Sequence, residues 1–385
     1  MVETTPSPAT VNIRRVATDA DRDLFLDVPW RVYAGDDNWV PPLRSSIAKE
    51  FASTNPFFQY GELQQFLAIR TIDGKDEVVG RVVAAINHRL IEKEGQPVGL
   101  VGYFECIDAY EVAVALLDAA CDWLRSHGMT VVRGPIDLST HNRCLFLIDG
   151  FDSPPTIMMP YNPAYYPEFF ERYGWTKGRD AYAYLIKFDS DLPPQYEKGY
   201  RIATKSGISF RKLSVKGDAF WDDVRAIYRL FTTSFANNYS SSPRTEEEFL
   251  EEAMDLKDLV DPDIFWIAEY NNEMVGFFMA LPDYNIVLKR VNGKLNWLGI
   301  LKFLWYRRQI NQGRVIVICS LPEQRRRMVP LALIYLAMVN GTRKKRPYTC
   351  AELGYVYEDN AASRKVTEAT GSKIYKTYRI YEKAL

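Results

Sequence analysis

Two similar segments, one in each half of the chain, limit the possible folds more than any other feature of the sequence. They are FLAIRTIDGKDEVVGRVVAAIN (66–87) and FWIAEYNNEMVGFFMALPDYN (265–285). Each has two β-rich runs around a polar turn and a Val-Gly pair just after that turn, which is typical of a hairpin. The same predicted order of strand, helix, strand, helix and strand follows both hairpins. The sequence therefore predicts two copies of one structural unit.

The predicted fold class is α/β with mixed sheets (α+β), arranged as two tandem domains over residues 11–190 and 208–385. Between them, residues 191–207 are polar and contain a proline pair and two glycines, which is typical of a linker. Residues 1–10 are polar and rich in Pro and Thr. We predict that they form a disordered N-terminus and are not a signal peptide.

The composition excludes several classes of protein. With 48 basic and 49 acidic residues the formal net charge is −1, so no nucleic acid is expected as a partner. Five cysteines without a C-x-x-C pair, and only three histidines, predict reduced thiols and no metal site. No apolar run reaches the length of about 18 residues that a membrane-spanning helix needs. We therefore predict a cytoplasmic protein.

The second half contains a candidate anion site. A β-branched run (315–319) predicts a buried strand, and it is followed by a basic turn with Arg325, Arg326 and Arg327. Further along, Asn360 is the predicted N-cap of a short helix. Backbone N–H groups at a helix N-terminus attract anions, and arginines add charge and paired hydrogen bonds.

This order of elements resembles the acyl-CoA-binding half of the GCN5-related N-acyltransferases, the GNAT superfamily. The motifs that carry the resemblance are Leu-Pro-Glu-x-Arg after a β-branched strand, and Asn360 with Gly371 eleven residues later. The resemblance implies acyl-CoA as the co-substrate, held by the three arginines and Asn360. This chain departs from the family pattern because Met328 and Pro330 stand where small residues are usual, and the arginines would compensate for that change.

Nearly the whole chain also resembles a bacterial family of tandem GNAT proteins. The resemblance includes NWVPPL (38–43), LIDGFDSPPTIMMPYNPAYY (147–166) and DPDIFWIAE (261–269). Relatives of this type include proteins proposed as sphingoid-base N-acyltransferases, that is, ceramide synthases. The resemblance implies two GNAT-like acyl-CoA N-acyltransferase domains.

The first copy has an acidic segment, from Glu105 to Glu111, where the second copy has its basic turn. These carboxylates repel a pyrophosphate, so we predict that the first copy presents the acceptor and the second binds acyl-CoA. GNAT enzymes often use a Glu on this strand as the base for the acceptor amine, and Glu105 is our candidate. The alternative is that Glu105 and Asp108 only cap the next helix.

A proton donor for the leaving thiolate is the second catalytic group that the resemblance implies. The Tyr that serves this role in many GNAT enzymes falls on Phe170 in the first copy and on Thr367 in the second. Our candidate is therefore a displaced tyrosine, Tyr161, chosen among the nearby Tyr161, Tyr165, Tyr166 and Tyr173. In the alternative, the thiolate leaves without specific help.

Substrate-binding residues are predicted in a long loop of the first copy. Residues 135–163 contain many polar side chains, and loops of this length are usually functional or disordered. We expect Asn142 and Asp149 to line a pocket for the acceptor.

The second copy has an aromatic, apolar insertion with basic ends over residues 286–310. Trp297 and Trp305 are its candidate substrate contacts. We interpret it as a lid over a long acyl chain or, over 295–308, as a patch that makes peripheral contact with membrane lipid. The alternative is a packed helix that seals the interface between the domains.

Together these observations predict an N-acyltransferase that moves an acyl group from a CoA thioester to an amine. The acceptor would be a small molecule or a lipid amine, such as a sphingoid base that receives a long acyl chain. One alternative is a catalytically decayed tandem GNAT protein that binds a lipid or a protein. Another is a transferase that uses aminoacyl-tRNA.

Overall fold

The computed structural model describes residues 11–72, 74–189, 192–294 and 296–385, without the side chain of Ile72. The predicted disordered N-terminus (1–10) lies outside the described residues. So do residues 190 and 191, at the start of the predicted linker, and Leu295 of the predicted insertion.

The described chain forms two compact units. The first comprises residues 11–180, 291–294 and 378–385, and the second comprises residues 181–290 and 296–377. The last eight residues therefore belong to the first unit, although they follow the second unit in sequence.

Strands and helices alternate as expected for an α/β chain. The strands are β1 (Val11–Arg15), β2 (Gly61–Ile72), β3 (Lys75–Asn87), β4 (Val98–Cys106), β5 (Val131–Gly134), β6 (Phe146–Asp149), β7 (Thr176–Lys187), β8 (Ser209–Lys212), β9 (Phe265–Tyr270), β10 (Glu273–Pro282), β11 (Gln312–Ser320), β12 (Cys350–Tyr357) and β13 (Lys373–Ala384).

The helices are α1 (Asp19–Val32), α2 (Arg44–Glu50), α3 (His88–Glu94), α4 (Tyr110–Ser126), α5 (Tyr165–Arg172), α6 (Pro194–Lys205), α7 (Gly217–Phe235), α8 (Glu246–Leu256), α9 (Asn285–Val291), α10 (Trp297–Tyr306), α11 (Val329–Thr342) and α12 (Ala361–Glu368). Within the described ranges, none of them has both the length and the apolar character that a bilayer-crossing helix requires.

In the first unit the strand order is β1-β2-β3-β4-β5, and residues 381–384 of β13 add an antiparallel strand beside β5. Strands β4 and β5 are parallel, and the pairs β1–β2, β2–β3 and β3–β4 are antiparallel. Helix α4 packs on this sheet through apolar residues that recur every three or four positions. The buried ones include Val112, Leu116, Leu117, Ala120 and Leu124.

In the second unit the strand order is β7-β12-β11-β10-β9-β8, with β11 and β12 parallel and the other neighbours antiparallel. Phe277 of β10 belongs to the apolar cluster that α7 forms with the sheet. Its neighbour Phe278 faces residues of α11 instead. Because successive side chains of a strand point to opposite faces, helices cover both faces of this sheet.

Most of the segment expected to be a linker (191–207) is helix α6. Pro194 occupies the first turn of this helix, where its missing N–H is not needed. Tyr196, Gly199 and Ala203 are buried at helical spacing. A Cβ on Gly199 would lie 2.8 Å from the Cβ of Leu331 in α11, so this glycine permits close packing of the two helices. The proline and glycine that suggest a linker in sequence therefore serve a packed helix.

Candidate active site and donor site

Glu105 lies near the end of β4, in a buried group of polar residues that we call the Glu105 cluster: Glu105, Arg81, Tyr33 and Tyr166. Its carboxylate accepts a hydrogen bond from the Tyr166 hydroxyl at 2.9 Å, and Nη2 of Arg81 lies 3.8 Å from its other oxygen. The Glu105 side chain is 15% exposed and that of Arg81 is 2% exposed. The carboxylate is therefore held in the interior with a small opening to solvent.

Burial raises the pKa of Glu105, and the nearby Arg81 and the hydroxyls of Tyr166 and Tyr33 only partly oppose this effect. A carboxylate with a raised pKa is a stronger base than an exposed one, which suits proton abstraction from an ammonium or amine. The interpretation of Glu105 as a helix cap is wrong, because the N-cap of α4 is Ala109 and no side chain caps that helix.

Among the four candidate tyrosines, Tyr166 is the one whose hydroxyl donates a hydrogen bond to Glu105. Its hydroxyl accepts a hydrogen bond from the backbone N–H of Cys106 at 2.8 Å while it faces the Glu105 carboxylate. Burial and the neighbouring carboxylate hold the pKa of Tyr166 well above its usual value, so the phenol keeps its proton at neutral pH. Tyr166 stands one helical turn before Phe170, and that i, i+4 spacing is the sequence signal for it.

Tyr161, the predicted proton donor, lies close to this cluster but points elsewhere. Its hydroxyl donates to the Asp36 carboxylate at 2.8 Å, and burial together with this hydrogen bond raises its pKa. Tyr33 connects the two places, because its hydroxyl donates to the backbone oxygen of Tyr161 at 3.2 Å and also interacts with Glu105.

The parallel strands of the first unit stop pairing after a few residues, at a point that we call the first fork. Strand β4 pairs with β5 only from Val98 to Leu100. Beyond the first fork, the segment that follows β5 occupies the space beside β4. The N–H of Ile136 donates to the Val101 oxygen at 2.8 Å, and the N–H of Tyr103 donates to the Asp137 carboxylate at 2.5 Å. The backbone of β4 at the first fork is therefore already occupied.

The second unit has a corresponding second fork, which is open. Strands β11 and β12 pair from Gln312 to Val315 and from Cys350 to Leu353, although they continue to Ser320 and Tyr357. No strand in the described part of the chain pairs with this edge of β11 over residues 316–320. Backbone N–H and C=O groups are strong hydrogen-bonding groups, so this edge can bind an extended ligand.

The basic turn follows β11 as a 3-10 helix, Pro322–Arg327, and Met328 then takes a left-handed conformation (φ 62°) before α11 begins. The side chains of Arg325 and Arg326 are exposed. Arg327 differs from them, because its guanidinium donates to the Ser206 oxygen at 2.6 Å and lies 4.0 Å from the Tyr270 ring centroid. Two of the three arginines thus remain exposed to solvent, and the third holds the turn in place.

Comparison with known proteins gives the family. No protein-family model matches the chain. The chain is 31% identical to the bacterial ceramide synthase of Caulobacter vibrioides, and the match covers 98% of each protein. It is 29% identical to protein YghO of Escherichia coli, over 97% of this chain and 95% of that protein. The chain belongs to the bacterial ceramide synthase family.

Solved structures support the fold of this family member. A tandem GNAT protein from the clavulanic acid biosynthesis pathway aligns over 97% of this chain and 98% of its own length, with a TM-score of 0.58 and 12% identity. The predicted family and the predicted fold class are therefore confirmed. The chain is an N-acyltransferase with the fold of the tandem GNAT proteins.

The remaining predicted site residues of this family member are exposed, each on the surface of its own unit. Asn142 and Asp149 are both exposed, and Asp149 ends β6, a short strand inside the segment expected to be a loop. In the second unit Asn360 caps α12 by accepting a hydrogen bond from the N–H of Ser363 at 3.0 Å. Trp297 and Trp305 are 69% and 65% exposed on α10.

Two features of the second unit were not predicted from the sequence. One is a buried ion pair at the second fork, Arg314 and Glu352, whose charged atoms are 3.7 Å apart. The other is an apolar cavity of about 50 Å³ between the sheet and α11, lined among others by Phe278, Val315, Ile334, Ala337 and Leu353. Neither has a local sequence signal, because each is assembled from separate elements.

Proposed function

We propose that this protein joins a long acyl group from acyl-CoA to the amine of a lipid, such as a sphingoid base. The observation that supports this proposal most is the open second fork. The pantetheine arm of CoA is extended and contains amides, so it can add to the unpaired edge of β11 as a further strand would. We propose this edge as the binding site of the donor.

The phosphates of CoA would be held at the turn after β11. Arg325 and Arg326 are exposed there, and the N-terminus of α11 has no side-chain cap. Free N–H groups at a helix N-terminus and guanidinium groups both favour phosphate. Pro330 removes one of those N–H groups, so in this proposal the arginines supply most of the attraction.

The apolar cavity favours an acyl chain at the second fork, and its volume of about 50 Å³ has room for a few carbons of that chain. Val315 and Leu353 form the last pair of β11 and β12 and also line the cavity, which therefore begins at the second fork. Cavities lined by apolar groups stay dry and take up hydrocarbon. Each methylene that enters contributes about 0.8 kcal/mol. We propose that the acyl chain extends from the fork into this space.

In the proposed reaction the amine nitrogen attacks the thioester carbonyl, a C–N bond forms, and the C–S bond breaks. Glu105 of the first unit takes the proton that the amine loses, and CoA leaves as a thiolate. The raised pKa of Glu105 favours this role. Tyr161 stays a prediction as the proton donor to the thiolate, and Tyr166 is a second candidate because of its contact with Glu105.

The lipid acceptor rests on the relative from Caulobacter vibrioides, which is named a ceramide synthase. A long-chain amine is held in a membrane, so the proposal includes peripheral membrane contact through residues 295–308, of which Leu295 lies outside the described residues.

The test is acyl transfer by the purified full chain. Acetyl-, octanoyl- and palmitoyl-CoA are each incubated with sphinganine or with a small polar amine, and the amides are quantified by mass spectrometry. We expect the palmitoyl amide of sphinganine as the main product, and calorimetric titration should show tighter binding as the acyl chain lengthens. Acetylation of the small amine alone would contradict the proposed substrates. Ala337→Phe, which fills the cavity, should weaken palmitoyl-CoA binding and leave acetyl-CoA binding unchanged.

A further inference from the structure

Helix α10 exposes its apolar side chains to solvent. Three residues of this helix are buried or half-buried: Gly299, Phe303 and Tyr306. Their spacing places them on one face of the helix. The other faces carry large apolar groups with high exposed fractions: Trp297 69%, Leu298 49%, Ile300 50%, Leu301 57%, Leu304 48% and Trp305 65%. A helix that is apolar on all sides normally lies in a core or in a membrane. A contiguous exposed patch of this kind marks an interaction surface.

The helix is nevertheless well anchored to the second unit. The Phe303 ring stacks on the Tyr284 ring, with centroids 5.6 Å apart and an interplanar angle of 1°. Asn296 caps the helix by accepting a hydrogen bond from the N–H of Gly299 at 2.9 Å. The apolar surface is therefore presented on a fixed element.

Along the sequence, the segment that contains α10 carries charges of a single sign. Residues 285–312 contain no Asp or Glu, whereas the whole chain carries a net charge of −1. The same stretch contains six basic residues: Lys289, Arg290, Lys294, Lys302, Arg307 and Arg308. Lys302 stands in the middle of the exposed apolar residues, and Arg307 and Arg308 follow the last turn, all three exposed. Apolar surface mixed with positive charge is complementary to an anionic lipid surface.

We propose that α10 and the basic residues around it bind the surface of an anionic lipid bilayer. The ten residues of α10 extend for about 15 Å, and the hydrocarbon layer of a bilayer is about 30 Å thick. The helix therefore lies along the interface and does not cross it. Its two tryptophans, one near each end, have the side chain that prefers the headgroup region. This inference rests on the proposed function, which includes contact with a membrane. It adds the class of lipid that is bound and the residues that bind it.

The test is flotation of the full chain, without any acyl-CoA, with vesicles of phosphatidylcholine alone or mixed with phosphatidylglycerol. We expect binding to the anionic vesicles that weakens as salt is added. Trp297→Ser/Trp305→Ser should weaken that binding at least tenfold through lost apolar contact. Lys302→Glu/Arg308→Glu should weaken it by a similar factor through lost attraction. The control is Met254→Ser/Lys216→Glu, which changes an exposed Met and an exposed Lys elsewhere in the unit and should leave binding unchanged.

Equal binding to neutral and anionic vesicles would overturn the proposal, as would an equal loss in the control variant. A dimer that forms without lipid and dissociates in the tryptophan variant would overturn it too, because a second copy would then cover α10. Absence of acyl-CoA binding in the unmodified chain would contradict the proposed function and leave the vesicle result unaffected.

Discussion

The two forks of this molecule show how one fold can keep a binding groove or close it. In the first unit the chain after β5 returns to β4 and occupies its backbone, through Ile136 and the Asp137 carboxylate. In the second unit β11 separates from β12 after Val315, and none of the described strands pairs with its edge over 316–320. The difference teaches that the loop after the second parallel strand, and not the strands themselves, decides whether the groove is available to a ligand.

The buried carboxylates of the two units differ in their exposure to solvent. Each unit has a buried Arg–Glu pair beside its fork, Arg81–Glu105 at 3.8 Å and Arg314–Glu352 at 3.7 Å. Glu105 is 15% exposed, whereas Glu352 has no exposed surface. The unit with the closed fork therefore has the accessible carboxylate, and the unit with the open fork has the sealed one.

The largest expected effect comes from removing the accessible carboxylate. Glu105→Gln should lower kcat/KM for amide formation by about 10²–10⁴-fold, the range typical of a lost general base. Glu352→Gln is the matched control, and it should lower the melting temperature more than the turnover because that side chain is sealed. Circular dichroism checks that both variants fold. A folded Glu352→Gln variant that loses more activity than Glu105→Gln would reverse the assignment of the two carboxylates.

A pair of glycines tests how tightly the chain closes the first fork, with Gly313 in the paired part of β11 as the uncrowded control. A Cβ on Gly102 would lie 2.3 Å from the Ile136 oxygen, whereas a Cβ on Gly313 would have no contact nearer than 3.6 Å. Gly102→Ala should therefore lower the free energy of unfolding by about 1–3 kcal/mol, as overpacking does, and Gly313→Ala should change it by less than about 1 kcal/mol. Urea denaturation measures both. Equal effects would mean that the first fork is no more crowded than the paired part of β11.

The exposed arginines test the donor site at the second fork. Arg325→Glu/Arg326→Glu should weaken octanoyl-CoA binding by about tenfold or more, because hydrogen bonds to charged groups contribute about 1.5–3 kcal/mol each. Lys198→Glu/Lys216→Glu reverses two exposed charges elsewhere in the same unit and is the control. Calorimetric titration gives both dissociation constants. Unchanged affinity in the arginine variant would place the phosphates elsewhere.

The smallest expected effect is a shift in pH dependence. Because burial raises the pKa of Glu105 above the ordinary 4.5, the base loses activity as the pH falls through this raised value, and the acid limb of kcat/KM should lie above pH 4.5. The folded state holds this proton more tightly than the unfolded state does. Glu105 therefore makes the free energy of unfolding decrease as the pH rises from 4.5 through the raised pKa, and Glu105→Gln should remove that decrease. An acid limb at or below pH 4.5 would contradict a buried base.

Much of the fold follows from local patterns. The hairpin turn at Asn271-Asn272 was predictable because asparagine tolerates positive φ better than most residues. In the structure both residues take positive φ (53° and 64°). The position of the basic turn at the end of β11 was predictable from the β-branched run before it. The helix α6 was not, because Pro194 and Gly199 are breakers in isolation, and only the packing of α11 explains why they fit a helix.

The candidate site was predictable only in part. Glu105 was predicted because it stands at a fixed place on a recognisable strand, and its role as the base stays a prediction. Its partner Tyr166 is 61 residues away, and four nearby tyrosines were equivalent in sequence. The structure separates them, because the hydroxyl of Tyr161 donates to Asp36 while that of Tyr166 faces Glu105.

The amino-acid sequence by itself determined the duplicated order of strands and helices, the basic turn and the aromatic insertion, because periodicity, turn residues and charge act over a few neighbouring positions. Only the tertiary structure decided which fork is open, which carboxylate keeps access to solvent, and that the apolar side chains of α10 face outward. These properties depend on segments far apart in the chain, and burial of a side chain is set by whatever packs beside it.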